Sequence, residues 1–390
     1  MNLRTRIFES MTHRLPDRIP TIMDARVEVK DALMRHYTVD SFQEVLDILG
    51  AEEMYRFKTD EMVRVRFPGF EEQAERIDGP WMGGGEHYIR LDESTFQDAW
   101  GVVRRIGSDG KFVEWVSGPL VEAEDPDEYD FPGVDRIVAD PILPEKFRLW
   151  KEQGLFVRTL VSQPYKTAWL LRGMENLLMD YILNRPFVEK LYDRIYDLQG
   201  EILRICTAAG ADLIGFDGDI ATQNSVVMGP ERWREVDKPR LAAVVRSCLE
   251  INPEVHVFIH SDGDIREILP DLIEIGFDVI DPIQPECMDP EEVKREFGER
   301  ITLHRCGSLQ RILPFGTPQE CRQEARRLVE RCGVGGGLVL GASNTISFDV
   351  PVENIAAWYE AVRDYDLGSL PDPHRRNRDV SVADDTAIFT

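Results

Sequence analysis

The chain has 390 residues, of which 43% are hydrophobic and 30% are charged, and its formal net charge at pH 7 is -25. This length and apolar fraction suffice for one large α/β domain or for two smaller domains. The acidic excess argues against binding to nucleic acids or to anionic membrane surfaces, because both carry negative charge.

The amino-terminal segment and the cysteines indicate a cytoplasmic protein. Residues 1–20 are charged and lack the apolar core of a signal peptide. The sequence contains no run of about 18 apolar residues that would cross a membrane. Its six cysteines include no closely spaced pair, which favours reduced thiols.

Short apolar runs alternate with amphipathic helical segments along most of the chain. Two runs lie at residues 18–23 and 51–57, and six follow from residue 155 onward: LFVRTLV, ADLIGFD, HVFIH, FDVIDPI, ITLHRC and GLVLGAS. Continuous apolar runs are typical of parallel strands that helices cover on both faces. Eight such strands predict an α/β fold of the (β/α)8 TIM barrel type, with a doubly wound open sheet as the alternative. No Gly-x-Gly-x-x-Gly motif follows a strand, which weakens a dinucleotide-binding version of that alternative.

Residues 60–150 interrupt this alternation. They include the segment GEHYIRLDESTFQDAWGVVRRIGSDGKFVEWVSGPL, whose pattern and Ser-Asp-Gly turn predict β-hairpins. We expect a hairpin-containing insertion after the second strand, on the side of the barrel where loops build active sites. Residues 1–370 are predicted to form a single domain, and the polar residues 371–390 a tail that is either poorly ordered or an oligomer contact.

Polar side chains follow each predicted strand from the third onward, whereas the interiors of the same runs are almost wholly apolar. In TIM barrels the catalytic groups stand at the carboxyl ends of the strands. The candidate positions are Arg158, Ser162, Tyr165, Asp217, Asp219, Gln223, His260, Asp262, Asp264, Asp281, Gln284, Glu286, His304, Cys306, Ser343 and Asn344.

Single members of this set also have ordinary structural explanations. Asp264 could cap the helix that follows it, because aspartate accepts hydrogen bonds from N–H groups at a helix start. Asp281 precedes a proline and could be a turn residue, Cys306 could be a small buried apolar side chain, and His260 could be a core histidine. The set indicates a site more strongly than any member alone.

The pairs His260-x-Asp262 and His304-x-Cys306 suggest a metal site. Catalytic zinc takes about three protein ligands from His, Cys, Asp or Glu and leaves one position open. Each pair points to one face only if both members belong to an extended strand. We therefore state zinc binding by His260, Asp262 and Cys306 as a hypothesis.

The most distinctive stretches lie between Gly210 and Ala361. They are GADLIGFDGDIATQ, MGPERWREVDKPRL, HSDGDIREILPDLIEIGFDVIDPIQPE, LQRILPFGTPQE and GGLVLGASNTISFDVPVENI, joined by FQDAWGVV and SGPL in the insertion. With these stretches the chain resembles the uroporphyrinogen decarboxylase superfamily, which also contains cobalamin-dependent methyltransferases. The resemblance implies a (β/α)8 barrel with a deep cleft at the carboxyl ends of the strands. It also makes a homodimer an expectation.

The decarboxylases of this superfamily carry an arginine-rich motif after the first strand and a Gly-His-Gly-Ile pattern at the last. Here only Arg26 corresponds loosely to the first motif, and Asn344 replaces the histidine of the second, while Asp217 matches the aspartate after the mid-barrel strand. A decarboxylase would use Arg26 and Arg158 to bind carboxylates, Asp217 to stabilise pyrrole N–H groups, and no cofactor. A motif in which only one arginine remains fits poorly with a substrate that carries several carboxylates, because each carboxylate needs a cationic donor.

The methyltransferases carry His-x-Cys-Gly at the fifth strand and a further cysteine at the eighth, which together bind zinc. Here the first motif reads His260-Ser261-Asp262-Gly263, and Ser343-Asn344 stand near the place of the later cysteine. The thiol-activating zinc site is therefore not intact. A zinc site that uses Asp262 is compatible with these residues.

The chain thus fits neither the decarboxylases nor the thiol-activating methyltransferases. Relatives of this third type resemble components of corrinoid-dependent O-demethylases, which move a methyl group from a small methylated donor to the cobalt of a partner corrinoid protein. We predict such a methyltransferase, in which His260, Asp262, Asp217 and Asp219 supply the acid chemistry and zinc assists. Substrate contacts are predicted for Arg26, Arg158, Tyr165, Gln223, Gln284, His304 and Asn344. The alternatives are a porphyrinogen decarboxylase and a non-catalytic binder of a corrinoid or tetrapyrrole.

Overall fold

The computed structural model describes residues 1–53, 62–77, 86–107 and 112–370. Most of the predicted strand at 51–57, the Ser-Asp-Gly turn at 108–110 and the tail at 371–390 lie outside these residues. Within the described ranges, no helix combines the length and the apolar character needed to cross a membrane.

Strands and helices alternate through the second half of the chain. The strands are β1 (Ile22–Met23), β2 (Glu52–Glu53), β3 (Val63–Val65), β4 (Glu75–Ile77), β5 (Glu86–Arg90), β6 (Thr95–Gln97), β7 (Val103–Ile106), β8 (Val113–Ser117), β9 (Ile137–Ala139), β10 (Arg158–Ser162), β11 (Leu213–Asp217), β12 (His256–His260), β13 (Val279–Asp281), β14 (Thr302–His304) and β15 (Leu338–Val339). The helices are α1 (Leu3–Met11), α2 (Val27–Tyr37), α3 (Phe42–Leu49), α4 (Leu143–Glu152), α5 (Pro164–Arg172), α6 (Met174–Leu183), α7 (Arg185–Ala209), α8 (Pro230–Ile251), α9 (Leu269–Ile275), α10 (Pro290–Phe297), α11 (Ile312–Phe315), α12 (Pro318–Cys332) and α13 (Val352–Arg363).

The central sheet is parallel and follows the order of the chain. β10 to β15 form a six-stranded sheet in sequence order, and β1 and β2 form a parallel pair. A parallel bridge between Thr21 and Leu340 connects the residue before β1 to the residue after β15. The predicted α/β fold with a parallel sheet is confirmed. Within the residues that the structure describes, no strand pairing joins β2 to β10.

Burial explains why the apolar runs form these strands. Every residue of β12, β13 and β14 is buried, and four of the five residues of β11 are. The longest covering helix, α7, has 25 residues and buries one face, which includes Leu191, Ile195 and Leu198. Each such side chain stabilises the fold by roughly 1.5–3 kcal/mol. α7 ends at Gly210, whose φ of +96° is readily adopted only by glycine.

An antiparallel sheet lies between the second and third parallel strands in the chain. β4 to β8 pair in sequence order, and β3 pairs with β9. Trp115 of β8 donates a hydrogen bond to the carbonyl oxygen of Leu170 in α5 at 2.9 Å. The guanidinium of Arg26 lies 5.6 Å from the ring centroid of Phe112. The antiparallel segment therefore approaches the sheet near the carboxyl ends of β1 and β10.

Candidate active site

Four polar residues stand side by side at the carboxyl ends of adjacent strands. Ser162 of β10 is in register with Asp217 of β11, Asp217 with His260 of β12, and His260 with Asp281 of β13. Neighbouring strands lie about 4.8 Å apart, and residues in register on parallel strands point to the same face. The structure therefore brings together Asp217 and His260 as the sequence predicts.

Asp281 is the centre of a buried ionic network. It is 0% exposed, and its carboxylate accepts hydrogen bonds from the Nδ1 atoms of His260 and His304 and from Nε of Arg305, each at 2.6 Å. Burial alone would raise the pKa of Asp281, but the Arg305 charge, His304 and these hydrogen bonds hold it well below its usual value. Asp281 is thus a buried anion that orients two histidines, rather than a simple turn residue.

The hydrogen bond to Asp281 leaves the other ring nitrogen of His260 for the candidate site. His260 Nε2 lies 3.6 Å from Asp219 Oδ1 and 4.0 Å from Asp217 Oδ1. Burial lowers the pKa of His260, but the hydrogen bond and the charge of Asp281 outweigh that effect and leave the pKa raised. A histidine whose Nδ1 is held by a carboxylate is a common arrangement behind metal ligands.

Asp262 completes a group of three side chains around Nε2 of His260. Asn344 donates a hydrogen bond from Nδ2 to Asp262 Oδ2, and the Asp262 backbone N–H donates to Asp219 Oδ1 at 2.9 Å. The other carboxylate oxygen, Asp262 Oδ1, is buried and has no hydrogen-bond partner among the residues that the structure describes. Burial raises the pKa of Asp262.

These three side chains fit a divalent metal ion. One ligand atom each from Asp219, His260 and Asp262 lies within 4.8 Å of the others. Two oxygens and one imidazole nitrogen are ordinary zinc ligands, and three protein ligands leave an open position for a reactant. The unpartnered Asp262 Oδ1 is the buried polar atom that such an ion would satisfy.

The loop that carries Asp262 depends on Gly263. Gly263 has a φ of +93°, and a Cβ atom there would lie 2.3 Å from the carbonyl oxygen of Thr222. Its N–H donates to Gln284 Oε1 at 2.9 Å, so the predicted site residue Gln284 supports the loop. The Asp264 carboxylate accepts from the Arg266 N–H at 2.9 Å, in the turn that leads into a short 3-10 helix at Arg266–Ile268. Asp264 therefore supports this turn, but the N-cap residue of α9 is Ile268, so the prediction that Asp264 caps the helix is wrong.

One predicted substrate contact, Arg158, lies away from His260. Arg158 begins β10, in register with Leu213, four residues before Ser162. Four residues of strand span about 13 Å. The expectation that Arg158 stands at the carboxyl end of its strand is therefore wrong. Arg26, by contrast, is the half-buried residue before α2, and its backbone N–H donates to the carbonyl oxygen of Ile346 at 3.0 Å, two residues from Asn344.

The remaining predicted contacts are mostly buried in the fold. His304 is fully buried and its Nδ1 is bound to Asp281. Tyr165 is 1% exposed, its hydroxyl has no hydrogen-bond partner among the described residues, and burial raises its pKa to about 12. Gln223 is exposed and donates to Gln310 Oε1 at 3.0 Å. Cys306 is fully buried, which raises the pKa of its thiol, and it lies outside the three-ligand group.

Arg305 is the site residue that sequence reasoning missed. It is 2% exposed and contacts both Asp281 and, at 3.1 Å, His260 Nδ1. The signal was present in the run ITLHRC, where a cation interrupts an otherwise buried strand sequence. A buried arginine requires a paired carboxylate, so its partner had to lie on a neighbouring strand.

Comparison with known proteins identifies the family. The family model described as uroporphyrinogen decarboxylase (URO-D) matches residues 148–365. A methylated-thiol–coenzyme M methyltransferase of Methanosarcina mazei is 24% identical over 228 residues, which cover 57% of each protein. A uroporphyrinogen decarboxylase of Pseudoalteromonas translucida is 31% identical over 74 residues, which cover 19% of this chain and 20% of the relative. The chain therefore spans little more than half of the first of these relatives and a fifth of the second.

A solved structure supports the same conclusion for the fold. A methyltransferase from Methanosarcina mazei superposes with a TM-score of 0.61 at 18% identity, and the match covers 93% of this chain and 99% of the other. The matched family residues include β10 to β15 and the three candidate metal ligands. The chain belongs to the uroporphyrinogen decarboxylase family, within the superfamily that also contains methyltransferases.

Proposed function

We propose that the protein is a methyltransferase that binds zinc and moves a methyl group from a small methylated donor to a corrinoid carried by a partner protein. The observation that carries the proposal is the group of Asp219, His260 and Asp262 at the carboxyl ends of β11 and β12. The methyltransferase relatives support it. Family membership also supports closure of the eight parallel strands into a barrel with one cleft at these ends.

The residues divide the chemistry between them. Asp219, His260 and Asp262 would hold the zinc ion, which supplies a Lewis acid for the donor atom that bears the methyl group. Asp281 fixes the His260 ring, and Asn344 fixes the Asp262 carboxylate. Asp217 is not one of the three ligands and lies 4.0 Å from His260 Nε2, which supports a role as proton donor.

The reaction balances with a methyl ether as donor. The bond between methyl carbon and oxygen breaks, the methyl group passes to the reduced Co(I) centre of the acceptor as a methyl cation equivalent, and the electron pair stays on oxygen. The departing oxygen must receive a proton, and Asp217 is placed to deliver it. Protonation of the leaving group is the step that a positioned carboxylic acid can accelerate.

The charges around His260 disfavour a porphyrinogen substrate. Asp217, Asp219 and Asp262 surround its Nε2, while the guanidinium of Arg305 is bound to Asp281. Several substrate carboxylates would require cationic donors in this place. The same three carboxylates have no evident use in a protein that only holds a tetrapyrrole.

The direct test is methyl transfer to free cob(I)alamin. Zinc-loaded protein is incubated with 4-methoxyphenol, dimethyl sulfide or methylamine, and methylcobalamin is followed by absorbance. We expect product from at least one donor and its loss in His260→Ala and Asp217→Asn. His256→Ala, at the opposite end of β12, is the matched control and should retain activity. Absence of product with all three donors, together with porphyrinogen decarboxylation, would contradict the proposal.

A further inference from the structure

Two loops at the carboxyl ends of the sheet meet at Asp262. In the six-stranded sheet, β13 and β14 lie between β12 and β15, a separation of about 14 Å along a flat sheet. Even so, Asn344, in the loop after β15, donates a hydrogen bond from Nδ2 to Oδ2 of Asp262, in the loop after β12. The two loops therefore meet across the candidate site, and this contact depends on what holds the loop of Asn344 in place.

The loop that carries Asn344 is attached to the end of β1. Thr345 donates a hydrogen bond from Oγ1 to Oδ2 of Asp24 at 2.5 Å, and Asp24 directly follows β1. The Ile346 N–H donates to the carbonyl oxygen of Asp24 at 2.9 Å, and the Arg26 N–H donates to the carbonyl oxygen of Ile346 at 3.0 Å. The Thr345 hydroxyl makes the only one of these three contacts that a side-chain substitution removes, and its acceptor is a carboxylate, which strengthens it.

Thr345 also determines the direction of the Asn344 amide. The backbone N–H of Thr345 donates to Oδ1 of Asn344 at 2.6 Å. Because an N–H group can only donate, the amide must turn its oxygen toward Thr345 and its NH2 group toward Asp262. In the reverse orientation, the amide oxygen would face the Asp262 carboxylate and repel it. The position of Thr345 therefore decides that Asp262 meets a hydrogen-bond donor.

The contact with Asn344 leaves one carboxylate oxygen of Asp262 for a metal ion. That oxygen, Oδ1, is buried and has no hydrogen-bond partner among the described residues. Asp262 belongs to the group with Asp219 and His260 whose ligand atoms lie within 4.8 Å of one another. A carboxylate that is already held in one direction binds a metal ion more tightly than a carboxylate that rotates, because less freedom of motion is lost on binding.

We infer that Thr345 is a positioning residue of the candidate metal site. Anchored on Asp24, it holds the Asn344 amide so that Asp262 keeps one oxygen directed toward the metal ion. This inference rests on the metal site of the proposed function and adds a residue that acts on this site through Asn344. Loss of the Thr345 hydroxyl should loosen the attachment of the loop to β1 while all three metal ligands remain in the protein.

Metal affinity is measured by titration of the full-length, metal-free protein with cobalt(II) chloride, whose visible absorption reports the geometry of its ligands. Thr345→Val replaces the hydroxyl by a methyl group of similar size and should weaken cobalt binding about 3- to 10-fold, the effect of one hydrogen bond. Thr345→Ser keeps the hydroxyl and should bind cobalt with the affinity and spectrum of the wild type. Thr207→Val, which loses a hydrogen bond of 2.7 Å to the Leu203 carbonyl oxygen in α7, is the matched control and should also bind as the wild type does.

A double variant tests whether Thr345 acts through Asn344. If it does, the addition of Thr345→Val to Asn344→Leu should leave the cobalt affinity of Asn344→Leu unchanged, because the amide that Thr345 directs is already absent. Independent contributions would instead multiply, so that the double variant would bind about 3- to 10-fold more weakly than Asn344→Leu.

Urea denaturation establishes that each variant is folded, and Thr345→Ala takes the place of Thr345→Val if that variant does not fold. Wild-type cobalt affinity in Thr345→Val, an equal loss in Thr345→Ser or in Thr207→Val, or multiplied effects in the double variant would overturn the inference and leave the metal site intact. No cobalt binding by the wild type would overturn both the inference and the proposed function.

Discussion

The Nδ1 atom of His260 lies 2.6 Å from Oδ2 of Asp281, so the imidazole presents its Nε2 to Asp219 at 3.6 Å. The same carboxylate binds Arg305 and His304. A fully buried ionic network thus determines the direction of the His260 side chain at the candidate active site. Both the stability of the fold and the geometry of the candidate metal site depend on this contact.

Replacement of Asp281 by asparagine should lower the free energy of unfolding by about 3–5 kcal/mol, because Arg305 would remain buried without its anion. Urea denaturation measures this effect. Asp278→Asn is the matched control, since Asp278 binds His256 at 2.6 Å from a side chain that is 36% exposed. We expect the control to cost about 1–2 kcal/mol. Equal losses of unfolding free energy in the two variants would show that the network around Asp281 stabilises the fold no more than the contact between Asp278 and His256.

Asn344→Leu should weaken zinc binding about 10-fold or more, because Asp262 would lose the amide that orients its carboxylate. The free energy of unfolding of the metal-free protein should change by no more than about 1 kcal/mol. Competition with a chromophoric chelator gives the zinc affinity. Asn176→Leu removes a hydrogen bond to the Val121 carbonyl oxygen instead and should leave the affinity unchanged. Equal zinc affinities in wild type and Asn344→Leu would argue against this role.

Gly263→Ala should destabilise the loop after β12 by about 2–4 kcal/mol, because it combines a positive φ with a contact of 2.3 Å to the Thr222 carbonyl oxygen. Gly69→Ala separates the two causes. Gly69 has a φ of +83°, but apart from its chain neighbours no atom of the described residues lies within 4 Å of an added Cβ, so its cost should be about 1 kcal/mol. Guanidinium denaturation compares the variants. A loss in Gly263→Ala no larger than in Gly69→Ala would exclude the steric contribution.

Asp237 should make stability fall as pH rises. Burial raises the pKa of this carboxyl to about 7, although hydrogen bonds from Tyr196 and Tyr181 oppose the shift. Its pKa in the unfolded chain is about 3.9. The folded state therefore holds the proton more tightly, and stability present below pH 4 is lost as pH rises to 7.

Asp237→Asn removes this titration. Relative to wild type, the variant should gain roughly 2–3 kcal/mol of unfolding free energy between pH 5 and pH 8. Asp135→Asn, at an exposed carboxylate, should show no such trend. Denaturation curves at four pH values decide the question. A difference between Asp237→Asn and wild type that does not change with pH would contradict the raised pKa.

The strand ends could be predicted because continuous apolar runs identify buried parallel strands. Asp217 and His260 are the last residues of β11 and β12, and the strand register brings them together. The role of Asp281, which accepts the hydrogen bond from His260 Nδ1, could not be predicted in this way. Asp281 stands before a proline, and sequence alone does not distinguish a turn residue from a buried anion.

The misplacement of Cys306 has a specific physical reason. The prediction requires that His304 and Cys306, two residues apart, lie on one face of an extended strand. However, β14 ends at His304, and Arg305 has a φ of +52°. A left-handed residue interrupts the alternation of side chains, so Cys306 does not follow His304 toward Asp281. The incorrect position predicted for Arg158 has a different reason, which is that the start of a strand is hard to locate in the sequence. The run LFVRTLV predicts a strand, but its composition does not show that β10 begins at Arg158 rather than before it.

The central claim is that Asp219, His260 and Asp262 bind zinc, and metal content tests it most directly. Wild type, His260→Ala, Asp262→Ala and the control His256→Ala are incubated with zinc, dialysed and measured by mass spectrometry. We predict about one zinc ion per chain in wild type and in His256→Ala, and loss of the ion in the other two variants. Wild-type protein without zinc after this treatment, or equal zinc content in all four proteins, would contradict the account.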